Sequence, residues 1–195
     1  MRYTSVLAAA ALLVTFGCGG DGGSVSGPSG QSGNLNIRIT DAPFGSAKAV
    51  LVTFSELAAH RTDSNGSKVS FPSGDTWTCD LKKLENNAQD VLGIANLSSG
   101  QYTMIRLVVR SAKIFFDSSS TSATPCARTI AEPAGAAFPL NIPSGEVKLL
   151  IPGGFTLTDT GATTILLDFD GAASITETGN QTYVMNPVVK LRSVQ

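Results

Sequence analysis

The sequence is poor in charge, and the charge it has is scattered. Only 15% of its 195 residues are Asp, Glu, Lys or Arg, and the formal net charge is −1. No run of Lys or Arg is longer than two residues. Proteins that bind nucleic acids present clustered basic side chains to the phosphate backbone. The sequence therefore argues against a nucleic-acid-binding surface, and we expect no such partner.

Histidine and cysteine are also scarce, with one His and three Cys in the chain. A closed structural zinc site takes four ligands of these kinds, so zinc is not expected. Gly-x-Ser-x-Gly and Walker-type motifs are absent as well. His60 would act as a general base only if the fold brought a serine to it. We therefore expect no enzymatic activity, with a hydrolase centred on His60 as the remote alternative.

No apolar run is long enough to cross a bilayer as a helix. The longest N-terminal run, Val6–Phe16, follows Arg2 and ends at Gly17-Cys18. This arrangement resembles a bacterial lipoprotein signal, in which residues 1–17 are removed and Cys18 becomes the lipidated first residue. The alternative is a plain secretory peptide in which Cys18 is incidental. Two positions, Thr15 and Phe16, differ from the Leu and small residue that such signals usually carry.

Residues 18–32 form a segment rich in Gly and Ser. Such a composition cannot bury apolar surface, so we expect a flexible tether that begins at lipidated Cys18. The lipid makes the membrane a predicted partner of this exported protein. In bacteria with two membranes, Asp directly after the Cys favours the inner membrane. Gly19 stands there instead, which favours the outer membrane.

Beyond the tether, apolar and polar residues alternate with period two in many short segments, as in Leu35, Ile37 and Ile39. We expect the turn Asp63–Gly66 to close a tight hairpin, and Leu84–Leu97 is the one stretch that suggests a helical turn. About nine or ten short strands over residues 33–194 predict an all-β fold, a two-layer antiparallel β-sandwich with little helix. The clearest strand segments are 35–40, 50–60, 68–71, 76–81, 102–116, 147–151, 155–158, 163–169 and 183–192.

Cys79 and Cys126 remain after Cys18 is assigned to lipid. An even pair in an exported domain predicts a disulfide. The alternative is two buried free thiols.

Three acids are candidates for an ion site. Asp168 and Asp170 share one face of a predicted strand, about 7 Å apart by strand geometry. Two like charges this close need a cation nearby, supplied either by a bound Ca²⁺ or by an arginine on a neighbouring strand (Arg38, Arg106 or Arg110). Asp41 ends another strand and would be a third calcium ligand. Its simpler interpretation is a turn cap before Ala42-Pro43.

Trp77, Tyr102 and Tyr183 are candidates for an exposed aromatic surface. An exposed Trp77 would offer a platform for a sugar ring. The alternative, which we favour, is that Trp77 packs in the core over the disulfide, as tryptophans of β-sandwiches often do.

Several motifs occur in a fixed order: Gly33-x-Leu35, Thr40-Asp41-Ala42-Pro43, Leu97-x-x-Gly100-x-Tyr102-Thr103-x-Ile105-Arg106-Leu107, Pro143-Ser144-Gly145, Leu167-Asp168-Phe169-Asp170 with Ser174, and Tyr183 before Asn186-Pro187-Val188-Val189. Over nearly all of residues 33–193 the chain resembles domain-of-unknown-function family 4382, a group of bacterial and archaeal lipoprotein domains. The resemblance implies a cell-surface protein with an immunoglobulin-like or transthyretin-like sandwich, and implies no activity.

Together these features predict a cell-envelope lipoprotein with a non-enzymatic structural, adhesion or ligand-binding module. The alternative is a calcium- or carbohydrate-binding accessory domain. Surface polysaccharides and other envelope proteins are the expected partners in either case.

Overall fold

A computed structural model describes residues 31–42, 44–62 and 66–195. The predicted signal peptide, most of the predicted tether with Cys18, Pro43 and most of the predicted turn at residues 63–66 lie outside the described residues. Among the described residues, no helix is long and apolar enough to cross a membrane.

Most of the described residues lie in strands. The only helical pieces in it are a single 3₁₀ turn, Leu81–Lys83, and the four-residue helix α1, Gly171–Ser174. The strands are β1 Ser32–Ala42, β2 Ala49–Arg61, β3 Ser67–Lys68, β4 Trp77–Asp80, β5 Asp90–Ser98, β6 Gly100–Phe115, β7 Cys126–Ala127, β8 Ala137–Asn141, β9 Glu146–Leu157, β10 Ala162–Asp170, β11 Ile175–Gly179, β12 Thr182–Met185 and β13 Val189–Val194.

These strands form two sheets. The smaller sheet has four strands in the order β13-β10-β1-β5. The larger sheet has nine strands, seven of them in the order β11-β12-β8-β6-β2-β4-β7, with β3 paired to β2 and β9 paired to β6. The all-β class and the two-sheet arrangement are as predicted from the sequence.

The details of the sandwich differ from the expectation in strand number and in strand direction. The described residues contain thirteen strands rather than nine or ten, and β6 is 16 residues long. Most neighbours are antiparallel, but β1 pairs with β10 in parallel, and β12 pairs with β8 in parallel. The cause is topological: β1 and β10 lie far apart in the chain, so no hairpin constrains their relative direction.

The core lies between the two sheets and follows the period-two alternation. Residues of β1 and β10 that point inward, such as Ile37, Ile39 and Ile165, are fully buried. Across the sandwich, Phe54 of β2 meets Phe169 of β10 edge to face, with ring centroids 6.1 Å apart. These contacts join the sheets into one hydrophobic core.

The prediction of a helical turn in Leu84–Leu97 is wrong for most of that stretch, because Asp90–Ser98 is β5. Two features obscure its alternation: a register shift in its ladder with β1, and Ile94, which is 50% exposed. Gly93 lies in this strand at a point that has no room for a side chain. A Cβ at Gly93 would lie 2.5 Å from Leu57 Cδ2.

A second, smaller apolar cluster lies on the outer face of the larger sheet. Leu51 alternates with the inward-facing Val50 and Val52, yet it is only 5% exposed. It is covered together with Ala49 and Phe115 by Ile130 from the long connection between β7 and β8. That connection therefore acts as a second layer over the sheet.

The predicted disulfide is present between Cys79 and Cys126. The two residues face each other in the antiparallel pair β4–β7 at the edge of the larger sheet, so the bond lies within one sheet rather than between the two. Their separation in sequence is 47 residues. The bond ties the connection before β8 to the sheet.

We expect replacement of both cysteines, Cys79→Ala with Cys126→Ala, to lower the free energy of unfolding by about 4 kcal/mol, because the open chain gains the entropy of a 47-residue loop. Urea denaturation of the mature protein measures the change. The matched control is a reducing agent, which should weaken the natural protein and leave the double variant unaltered. Equal stability of the two oxidised proteins would contradict the prediction.

Candidate functional site

The three candidate acids lie where the parallel strands β1 and β10 end together. In this ladder Thr40 pairs with Asp168, Asp41 with Phe169, and Ala42 with Asp170. We call this region the carboxylate junction and define it by Asp41, Asp168, Asp170, Gly171 and Ser174. The parallel register brings the ends of the two strands to the same edge of the sheet.

Asp41 is the buried member of the carboxylate junction, only 6% exposed. Its Oδ1 accepts a hydrogen bond from the backbone N–H of Gly171 at 3.0 Å, and its Oδ2 has no partner among the described residues. Burial raises the pKa of this carboxyl from 3.8 to about 8, and the negative charges of Asp168, Glu85 and Asp170 add to the rise. Asp41 is therefore mostly protonated at neutral pH.

Asp170 has two structural roles in the carboxylate junction. Its Oδ1 accepts a hydrogen bond from the backbone N–H of Ala173 at 2.9 Å and so caps α1. Its Oδ2 accepts a 2.6 Å hydrogen bond from Lys190 Nζ on β13. The bond from Lys190 is the main cause that lowers the pKa of Asp170. Both carboxylate oxygens are therefore occupied by protein donors.

The cation that faces the acidic pair is Lys190 and none of the three arginines considered from the sequence. Lys190 lies opposite Asp168 in the β10–β13 ladder and bonds Asp170. Arg106, in contrast, pairs with Glu56 and with Glu146 on the larger sheet. Arg38 donates a hydrogen bond to Gln89. Arg110 is exposed. The prediction of an arginine partner was wrong because the strand order of the smaller sheet places β13, which carries Lys190, beside β10. The sequence alone does not give that order.

Ser174 completes the carboxylate junction from the end of α1. Its hydroxyl donates to the Asp170 backbone carbonyl at 2.6 Å and accepts from the Val188 N–H at 2.8 Å. Its backbone carbonyl accepts from the Asn186 N–H at 2.8 Å. Motifs that are far apart in the sequence are thus joined at one point, where Asp168 Oδ1 is buried with no hydrogen-bond partner among the described residues.

The three acids do not converge on a common metal position. Asp41 extends the inward-facing set of β1, whereas Asp168 and Asp170 belong to the other face of β10. Within the described ranges, no group of three or more His, Cys, Asp or Glu side chains is arranged to hold a metal ion. The arrangement is that of a capped and ion-paired strand junction.

The aromatic candidates lie in the core and do not form an exposed platform. Trp77 is 9% exposed, and its Nε1 donates to the Val91 carbonyl at 3.0 Å. Tyr102 is fully buried, stacks on Phe155, and donates its hydroxyl to the Ser98 carbonyl at 2.8 Å. Tyr183 is also buried, against the rings of Phe116 and Phe138.

His60 lies near the end of β2 with its ring against Gly66, where an added Cβ would approach His60 Cε1 to 2.2 Å. Its Nε2 is buried and makes no hydrogen bond in the described part of the chain. The serine that a hydrolytic pair would need is not bonded to it there.

Sequence reasoning did not identify a cavity of about 630 Å³ on the outer face of the smaller sheet. Three asparagines line it, Asn34 and Asn36 from β1 and Asn96 from β5, beside Ile94 and Ser70. The signal was present in the alternation of β1, because inward Leu35 and Ile37 place Asn34 and Asn36 on the opposite face. The cavity also requires β5 beside β1, a pairing that no local sequence pattern encodes.

The fold and these sites define a class of protein, a two-sheet all-β domain with one disulfide in its described part. Side-chain carboxylates form hydrogen bonds at the ends of its strands. The sequence model of the family described as a domain of unknown function (DUF4382) matches residues 32–187, and the chain belongs to that family. Neither a curated protein nor a solved structure matches the chain.

We expect the free energy of unfolding to fall as the pH rises from about 4 to about 8. Asp41 holds a proton in the folded state up to a pKa of about 8 but releases it near 3.8 when unfolded. Its stabilisation is therefore complete below the unfolded pKa and is lost as the pH rises through the folded one. One such group gives a slope of up to about 1.4 kcal/mol per pH unit.

The Asp41→Asn variant keeps an acceptor for Gly171 and cannot titrate, so urea denaturation at stepped pH should show a flatter profile than the natural protein. Asp80 retains a slope of the same sign, because burial raises its pKa too. The control Asp75→Asn changes an exposed turn residue and should leave the slope alone. Parallel profiles for Asp41→Asn and the natural protein would refute the assignment.

Proposed function

We propose that this protein is an exported, lipid-anchored protein of the cell envelope whose β-sandwich is a non-enzymatic structural or ligand-binding module. The observation that carries the proposal is the order of its parts: a short apolar run that ends at Cys18, a Gly/Ser-rich segment, and a disulfide-bonded all-β domain. The apolar run, the Gly/Ser-rich segment and the disulfide are each expected in a protein that is exported and attached to a membrane.

The N-terminal sequence supports export and anchoring. Arg2 precedes the apolar run Val6–Phe16, and Cys18 follows it directly. Lipoprotein processing adds more than one acyl chain, which is what stable membrane attachment requires. Residues 19–31 separate Cys18 from β1 and span at most about 45 Å when fully extended. A tether of this length allows the domain to stand clear of the lipid headgroups.

The disulfide supports the same compartment. Such bonds form and persist in oxidising surroundings and are rare in the reducing cytosol. Cys79 and Cys126 are 0% and 4% exposed, so the pair is enclosed by the fold. An exported domain gains stability from this bond, whereas a cytosolic one would carry two thiols there.

The roles of the polar residues support a module without catalysis. Asp170 caps α1 and pairs with Lys190, and Asp41 accepts a buried hydrogen bond from Gly171. The one histidine lies against a glycine. Residues committed to holding strand ends together are poorly suited to act as nucleophile or base, and a binding or structural role accounts for them.

We expect Cys18→Ala to abolish lipid attachment and to leave an unprocessed precursor that keeps residues 1–17, because both lipidation and cleavage of the predicted signal depend on this cysteine. Metabolic labelling with a fatty acid and the electrophoretic mobility of the protein from cells expressing the full chain measure the two effects. The matched control is Ser24→Ala in the same segment, which should change neither. Unchanged labelling and unchanged processing of Cys18→Ala would refute the anchor and leave the domain assignment intact.

A further inference from the structure

The amide-lined cavity lies on the face of the smaller sheet that points away from the core. Asn34 of β1 pairs across the sheet with Asn96 of β5, and Asn36 pairs with Ile94. Cross-strand partners project on the same side of the sheet. Three amide side chains and one half-exposed Ile94 are thus gathered on a surface patch around a volume of about 630 Å³.

Hydrogen bonding within the cavity is incomplete. Asn96 Nδ2 donates to Asn34 Oδ1 at 3.1 Å, which orients both amides. This bond leaves Asn34 Nδ2 as a donor and Asn96 Oδ1 as an acceptor, with no other protein partner in the described residues. Asn36 Oδ1 is buried and has no partner at all there. A buried acceptor of this kind is costly unless something donates to it.

The lining determines the chemistry of a suitable ligand. None of the side chains that line the cavity is charged. Anionic and cationic ligands would find no counter-charge here, so a neutral ligand is favoured. Donors and acceptors set beside apolar carbon suit a molecule that carries hydroxyl groups on one edge and C–H groups on its face.

An extended peptide is a poorer fit, because the backbone edge of β5 is closed at this point. Ser70 N–H donates to the Ile94 carbonyl at 3.0 Å, and Ile94 N–H donates to the Ser70 carbonyl at 2.8 Å. A peptide that binds by adding a strand needs these groups free. Only side chains are offered to a ligand at Ile94.

We propose that this cavity binds a neutral saccharide, with Asn34, Asn36 and Asn96 bonding its hydroxyl groups and Ile94 contacting the C–H face of a ring. The volume falls within the range of small-molecule sites, about 300–1,000 Å³. The inference rests on the proposed function, since an exported domain meets surface polysaccharides.

The test uses the mature protein labelled with ¹⁵N. Cellobiose, maltose and diacetylchitobiose are titrated to about 50 mM, a range that captures weak binding, while the side-chain amide signals of the asparagines are followed. We expect at least one sugar to shift the signals of Asn34, Asn36 and Asn96. Asn96→Ala should weaken that binding about tenfold, and the exposed Asn141→Ala on the larger sheet should leave it unchanged.

A second variant, Ile94→Lys, guards against misfolding of the first. Ile94 is half exposed, so the longer charged side chain should block the cavity without unfolding the domain, which the melting temperature checks. The proposal is overturned if no sugar shifts the amides, if Ile94→Lys binds as well as the natural protein, or if glucuronate is preferred. Shifts that depend on protein concentration alone would also overturn it, in favour of a second copy. Fatty-acid labelling at Cys18 is unaffected by any of these results, so failure here is separable from failure of the anchor.

Discussion

The parallel pairing of β1 with β10 is the constraint on which the rest of the sandwich depends. It places two strands from opposite ends of the domain side by side at the centre of the smaller sheet, and nine residue pairs hold them in register. Their inward side chains face the larger sheet, where Phe54 meets Phe169. Bringing two strands together from opposite ends of the domain costs conformational entropy. The burial of aliphatic side chains on the same face of both strands offsets that cost.

The carboxylate junction follows from that pairing. Two parallel strands that end together present unpaired backbone groups at one edge, and short polar side chains satisfy them at little cost in space. Asp41 bonds the N–H of Gly171, Asp170 caps the helix that turns the chain, and Ser174 bonds the segment that leads to β13. The same arrangement explains why Asp41 tolerates burial: its carboxyl is protonated there, which avoids an uncompensated charge.

Sequence reasoning succeeded where alternation is regular. Along β6, Ile105, Leu107 and Val109 are buried while Arg110 is exposed, as the period of two predicts. It failed at β5, where Gly93 relieves a close approach and Ile94 faces outward. The pairing of two cysteines was predictable because only one pairing existed once Cys18 was assigned elsewhere. The partner of Asp170 was not, because Lys190 reaches it through a strand order that no local pattern encodes. For the same reason the amide cavity, which joins residues 34 and 96, emerged only from the sheet.

The position of β1 has a mechanical consequence. The first strand of the domain is an interior strand, hydrogen-bonded to β10 on one side and to β5 on the other. Any force that reaches the domain through the preceding segment pulls along the axis of this strand. The two ladders then share the load in shear, many bonds at once, instead of opening one bond at a time from a free edge. A domain attached through this strand therefore resists mechanical unfolding by a force applied at its attachment.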